Sequence, residues 1–117
     1  MFKDWIPEDQ WTDGMRAIAG FARQVGEKAL PRRIVVRFCA TAYHLGGASY
    51  GSGELVFNKL RLGSDGFEHG TTENVVRLLI HKFGHEYSGG HLSGEYHEAL
   101  CRIGAKIFAL ARQGQLV

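Results

Sequence analysis

The chain has 117 residues, of which 44% are apolar and 22% charged, so we expect a single domain over residues 1–117 with a modest hydrophobic core. Lys and Arg number 14 against 12 Asp and Glu, and they form no basic run, so we expect no nucleic-acid partner. No apolar run approaches the ~20 residues that span a bilayer, and the first ten residues lack the apolar centre of a signal peptide. We therefore expect no membrane association and a cytoplasmic location.

The two cysteines support that location. Cys39 and Cys101 lie far apart in sequence, in apolar surroundings and outside any CxxC spacing. We expect both to be reduced thiols within the core.

The first predicted elements are a helix and a strand. Residues 8–28 carry apolar side chains at steps of three and four, which is typical of an amphipathic helix, and Pro31 prevents its continuation. Residues 32–40, RRIVVRFCA, are rich in β-branched side chains and place Ile34, Val36 and Phe38 on one face. This alternation predicts a strand.

A glycine-rich stretch separates this strand from the next. Residues 42–53, AYHLGGASYGSG, cannot be helical and are expected to form a loop or an irregular edge strand. Their glycines, Gly46, Gly47, Gly51 and Gly53, do not form a phosphate-binding loop, since no GK[ST] follows them. Residues 53–60 alternate again and predict a second strand, and residues 61–70 predict a turn-rich connection.

Two helices complete the chain. Thr71 or Thr72 is expected to cap a buried helix that runs through ENVVRLLIHKFGHEY, and a last helix is expected from about Ser93 to Gly114. The predicted fold class is α+β: an N-terminal helix, a small, mainly antiparallel sheet, the HxxxH helix and a C-terminal helix, with the helices on one face of the sheet.

Three histidines in this region have the spacing of zinc ligands. His81 and His85 are four residues apart on a helix, so both imidazoles project from one face. Ser88, Gly89 and Gly90 then break the helix, and the two glycines can reverse the chain so that His91 returns to the same ion. Three neutral imidazoles suit Zn²⁺ and leave a fourth position open for water.

The helix that follows offers further candidates. Glu95 and Glu98 are reserve third ligands if His91 turns away, and Tyr96 and His97 are candidate catalytic or substrate-contacting groups. The alternative is that these residues form a solvated first turn, where acidic side chains are common. The histidines can likewise be read as a polar cluster within an ordinary α+β core.

The stretch HKFGHEYSGGH resembles the zincin metallopeptidases, whose extended motif is HExxHxxGxxH. The resemblance implies a minimal zincin-like domain with zinc on His81, His85 and His91, and peptide hydrolysis by zinc-activated water. It also implies that residues 53–60 form the edge strand that holds a peptide or protein partner by β-addition. Three features depart from the family, and two of them concern the end of the motif: Ser88 stands where the long motif has glycine, and no methionine follows the motif.

The largest departure is Lys82, which stands where the family has its catalytic glutamate. A protonated lysine cannot accept a proton from zinc-bound water, and its charge opposes the metal. Lys82 is therefore an inactivating substitution, the mark of a natural pseudoenzyme, or a neutral lysine that itself acts as the base. The chain is expected to be a zinc-binding, metallopeptidase-like domain with impaired hydrolysis. The alternative is a non-catalytic protein-interaction module, metal-stabilised or metal-free, and whether the chain is an enzyme is left open.

Overall fold

The computed structural model describes residues 5–30, 32–41, 47–62, 73–87 and 93–116. Within these ranges the fold is α+β, as predicted. The helices are α1 (Asp13–Ala29), the single turn α2 (Lys59–Leu62), α3 (Glu73–Phe83) and α4 (Gly94–Arg112). The strands are β1 (Val35–Cys39), β2 (Ala48–Gly51) and β3 (Glu54–Asn58), and 3-10 turns lie at Glu8–Gln10 and Gly84–Glu86.

Helix α1 begins five residues later than the expected position 8. Residues 8–10 form a separate 3-10 turn, and Thr12 caps the α-helix by accepting a hydrogen bond from the Met15 N–H at 3.2 Å. The buried face of α1 includes Met15, Ile18, Ala22 and Val25, which follow the predicted stripe.

Within the described residues, the strands form one mixed sheet in the order β1-β3-β2. β1 and β3 are parallel, with Val35 opposite Glu54 and Cys39 opposite Asn58, whereas β2 and β3 are antiparallel. One of the two strand pairs is thus parallel in a sheet expected to be mainly antiparallel. The prediction that residues 53–60 offer a peptide-binding edge is wrong, because β3 is the central strand and its neighbours occupy both of its edges.

A two-residue turn joins β2 to β3. Gly51 pairs with Glu54, and Ser52 and Gly53 between them have φ values of 51° and 77°. Two successive positive φ values define a type I′ turn, which matches the twist of an antiparallel hairpin. The glycine-rich stretch therefore contains an edge strand, one of the two predicted alternatives, while residues 42–46 lie outside the described part of the chain.

The helices pack on one face of the sheet. The core joins α1, α3 and α4 to the side chains that β1 and β3 direct inward, namely Val36, Phe38, Leu55 and Phe57. Phe38 and Phe57 stack at 5.4 Å between ring centroids, across the parallel pair. This two-layer packing places the end of α3, with its histidines, against the first turns of α4.

Two further expectations can be compared with the structure. Cys39 is a buried free thiol as expected, but Cys101 is exposed, because it lies on the outer face of α4. None of the described helices has the length and hydropathy needed to cross a bilayer.

Candidate metal centre

His81 and His85 lie side by side, as their spacing predicts. His81 belongs to the last turn of α3 and His85 to the following 3-10 turn, and both side chains are half-buried. Their ring centroids are 5.8 Å apart, with the planes at 81°. Two imidazoles that share a tetrahedral zinc, each with a Zn–N bond of about 2.1 Å, have ring centres about 5 Å apart. The ring separation in this protein is thus within about 1 Å of that of two imidazoles on one zinc ion.

A glycine and a tyrosine hold this pair against α4. A Cβ on Gly84 would lie 2.8 Å from Tyr96 Cε1 and 2.9 Å from Leu100 Cδ2, so any larger residue here would force these side chains to shift. The ring of Tyr96 packs beside both imidazoles, with centroids 5.9 Å from His81 and 5.2 Å from His85. Close approach of the backbone thus fixes one wall of the site.

Tyr96 is held in place by burial and by a hydrogen bond to the backbone of α3. Its side chain is buried, and its hydroxyl donates a hydrogen bond to the carbonyl oxygen of His81 at 2.7 Å. Burial raises the pKa of Tyr96, which keeps the hydroxyl protonated. The predicted catalytic role thus gains no support from the geometry, since the hydroxyl joins α4 to the end of α3.

The other candidates of α4 lie at its solvated start. His97, Glu95 and Glu98 are exposed, and the His97 ring contacts Tyr96 with centroids 6.2 Å apart. Ser93 caps the helix by accepting a hydrogen bond from the Tyr96 N–H at 3.0 Å. An exposed, capped first turn matches the alternative that the sequence left open for these acidic residues.

Lys82 lines a groove on the outer side of α3. The groove has a volume of about 330 Å³, and Asn74, Arg77, Leu78 and His81 lie along its described wall. Neither Arg77 nor Lys82 forms an ion pair with any residue that the structure describes. The positive charges of these two side chains lie beside His81 and weaken metal binding there without preventing it.

Sequence reasoning missed a cluster around Glu86, the residue that follows His85. Glu86 accepts a hydrogen bond from the Tyr50 hydroxyl through one carboxylate oxygen, and the other oxygen lies 2.6 Å from Arg32 Nη1. Burial and this bond to Glu86 raise the pKa of Tyr50 well above its ordinary 10.0. The hydrogen bond and charge of Glu86 also raise the pKa of Arg32. Both carboxylate oxygens are thus engaged away from the imidazoles.

The described residues contain no group of three or more His, Cys, Asp or Glu side chains that could hold a metal. Glu95 and Glu98 therefore do not complete the pair, and His91 lies outside the described residues, where its assignment stays a prediction. No protein-family model, no curated protein and no solved structure matches the chain. The resemblance to zincins, which rested on a short motif, is accordingly wrong as an assignment of family.

Proposed function

We propose that this domain is a non-catalytic protein-interaction module that holds a zinc ion through His81 and His85. The observation that carries the zinc part of the proposal is the adjacency of the two imidazoles, with ring centroids 5.8 Å apart on a surface backed by Tyr96. Neutral imidazoles suit zinc, and an ion that bridges α3 and the 3-10 turn would stabilise the folded chain by its binding free energy.

The surroundings of the pair lack the base that zinc-dependent hydrolysis requires. A zinc hydrolase needs a carboxylate that takes a proton from the metal-bound water. Glu86 is adjacent to His85 in sequence but is engaged by Arg32 and Tyr50, and the position of the hydrolase carboxylate holds Lys82, which is not a carboxylate. The proposal places the domain in the cytoplasm, where two free thiols such as Cys39 and Cys101 stay reduced.

Titration calorimetry with zinc on chelator-treated, tag-free protein tests whether the domain binds zinc through these histidines. We expect about one zinc per chain, a rise in melting temperature with added zinc, and at least about tenfold weaker binding in His81→Ala and His85→Ala. His97→Ala is the matched control, because it removes an exposed imidazole outside the pair. His91→Ala then decides whether that residue supplies a third ligand. Absence of zinc binding, or an equal loss in the His97 variant, would refute the metal site.

A second experiment tests the absence of catalysis. Lys82→Glu removes a positive charge beside His81 and adds a negative one, so zinc should bind more tightly. We expect this variant, loaded with zinc, to cleave neither a peptide library nor its own chain. Cleavage that requires zinc would show that the module is catalytic and would overturn the proposal.

A further inference from the structure

A second groove lies on the other side of the molecule, at the outer edge of β1. It has a volume of about 320 Å³ and is lined by residues 5–8, by Trp11 and Arg23, and by residues 35–38. The imidazole pair takes no part in it. This volume is at the lower end of the ~300–1,000 Å³ typical of binding pockets, enough for one or two side chains.

The chain itself pairs with this edge for a short distance. The Ile6 N–H donates to the Phe38 carbonyl oxygen at 2.8 Å, and Trp5 lies opposite Cys39 in an antiparallel bridge. Pro7, with φ of −58°, has no N–H to offer, and a 3-10 turn follows it at once. Residues 5 and 6 therefore pair with the outer edge of β1, and the chain turns away from this edge after them.

Val36 is the next residue of β1 whose backbone N–H and C=O groups point to the outer edge of the sheet, although its side chain points into the core. The Val35 N–H donates to Gly53 on the β3 side at 2.9 Å, and successive residues of a strand alternate the edge to which their N–H and C=O groups point. Val36 thus directs both groups outward, into the groove that it lines. Among the described residues, no turn, loop or cap hydrogen bond involves Val36. A donor and an acceptor are therefore available to an added strand.

Aromatic rings wall this position. Trp11 packs edge-on against Phe38, with centroids 4.8 Å apart, and its indole N–H donates to the Ile6 carbonyl at 3.1 Å, which fixes the ring. The guanidinium of Arg23 lies 5.8 Å from the Trp11 ring centre, and that of Arg37 lies 5.1 Å from the Trp5 ring centre. Trp and Arg are the residue types that most often dominate the energetics of protein interfaces.

The groove carries little net charge. Arg23 lies 3.8 Å from Glu8, and Arg37 lies 2.8 Å from Glu54, so a carboxylate balances each guanidinium. Val35 beside them is 47% exposed and adds apolar surface. These features favour an apolar segment with an extended backbone over an acidic or basic one.

We propose that this groove is a docking site for an extended, apolar segment of a partner protein, which adds to β1 at Val36 and places a side chain between Trp5 and Trp11. Main-chain hydrogen bonds supply part of the affinity in this mode, and the aromatic walls supply selectivity. The inference rests on the proposed role as an interaction module and is independent of zinc.

The test is a ¹H–¹⁵N NMR titration of the full chain in the presence of a chelator. The probe is the capped pentapeptide Thr-Val-Trp-Val-Thr, and its control is the same peptide with the central amide N-methylated, which blocks strand pairing. We expect shifts confined to residues 35–37 and to the indole signals of Trp5 and Trp11, and about tenfold weaker binding of the methylated peptide. The chelator keeps failure here distinguishable from failure of the metal proposal.

Two variants complete the design. Trp5→Ala removes a half-buried wall of the groove and should weaken binding at least about fivefold. Phe108→Ala removes the side chain of a residue that is 65% exposed on α4, outside the groove, and should leave binding unchanged. Equal binding of the methylated peptide, an equal loss in the Phe108 variant, or no binding at ~1 mM peptide overturns the proposal. Self-association that protects the groove without peptide would assign it to a second copy and likewise overturn it.

Discussion

The bond between Tyr50 and Glu86 offers the sharpest test of the packing around the candidate centre. Tyr50→Phe removes the hydroxyl that Glu86 accepts from, while the ring keeps its edge-on contact with Phe83, at 5.2 Å between centroids. A hydrogen bond to a charged partner contributes about 1.5–3 kcal/mol to stability. The Glu86 side chain is 18% exposed, so water can replace part of the lost hydrogen bond in the variant. We expect the free energy of unfolding to fall by about 1–2 kcal/mol at neutral pH.

Urea unfolding measures this change, and Tyr87→Phe is the matched control. Tyr87 is 41% exposed, and its contact with Arg102 involves the ring face, which phenylalanine keeps. We expect the control to change the unfolding free energy by less than about 0.5 kcal/mol. A double-mutant cycle with Glu86→Gln should give a coupling energy of about 1 kcal/mol. A coupling near zero, or equal effects of both tyrosine substitutions, would refute the assignment of this bond.

Two further outcomes follow from the structure. Above pH 10.0 the unfolded chain loses the Tyr50 proton while the folded protein retains it, so the free energy of unfolding should fall as pH rises, and Tyr50→Phe should reduce that slope in urea unfolding at several alkaline pH values. An equal slope in both proteins would contradict the raised pKa. A Cβ on Gly26 would lie 2.0 Å from Ile34 Cγ1, so Gly26→Ala should lower stability by about 1–3 kcal/mol in thermal unfolding. Gly20→Ala on the same helix meets no atom within 4 Å and should be neutral or stabilising, and a similar loss in both variants would contradict the contact.

The periodicity of apolar residues predicted the presence of the helices and strands well, but it predicted the start of α1 and the position of β3 in the sheet poorly. The apolar stripe of α1 was predicted, but the cap at Thr12 was overlooked, although threonine before an apolar stripe is a common start signal. The sequence also contains an indication that β3 is the central strand. Leu55, Val56 and Phe57 are consecutive apolar residues and all are buried, a pattern more typical of a central strand than of an edge strand. Alternation alone does not distinguish a central strand from an edge.

The candidate site was predictable only where its residues are close in sequence. The spacing of His81 and His85 correctly predicted their adjacency, because a helical turn brings them together. The partners of Glu86 lie 54 residues away at Arg32 and 36 residues away at Tyr50. No local pattern encodes such contacts, since they arise when β2, which carries Tyr50, and the segment between α1 and β1, which carries Arg32, meet the 3-10 turn after α3. The motif likewise could not report that the rest of the chain matches no zincin.

The order of the strands also carries a consequence for how the sheet assembles. The β2–β3 hairpin closes through the two-residue turn at Ser52 and Gly53, a local event that takes about 1–10 μs in hairpins. The parallel partner β1 comes from 19 residues earlier, as Val35 opposite Glu54 shows, and must close a longer loop. We therefore expect the hairpin to form first and β1 to join it later. Until then one edge of β3 stays unpaired, so the interval before β1 docks is when the nascent chain is most prone to aggregate.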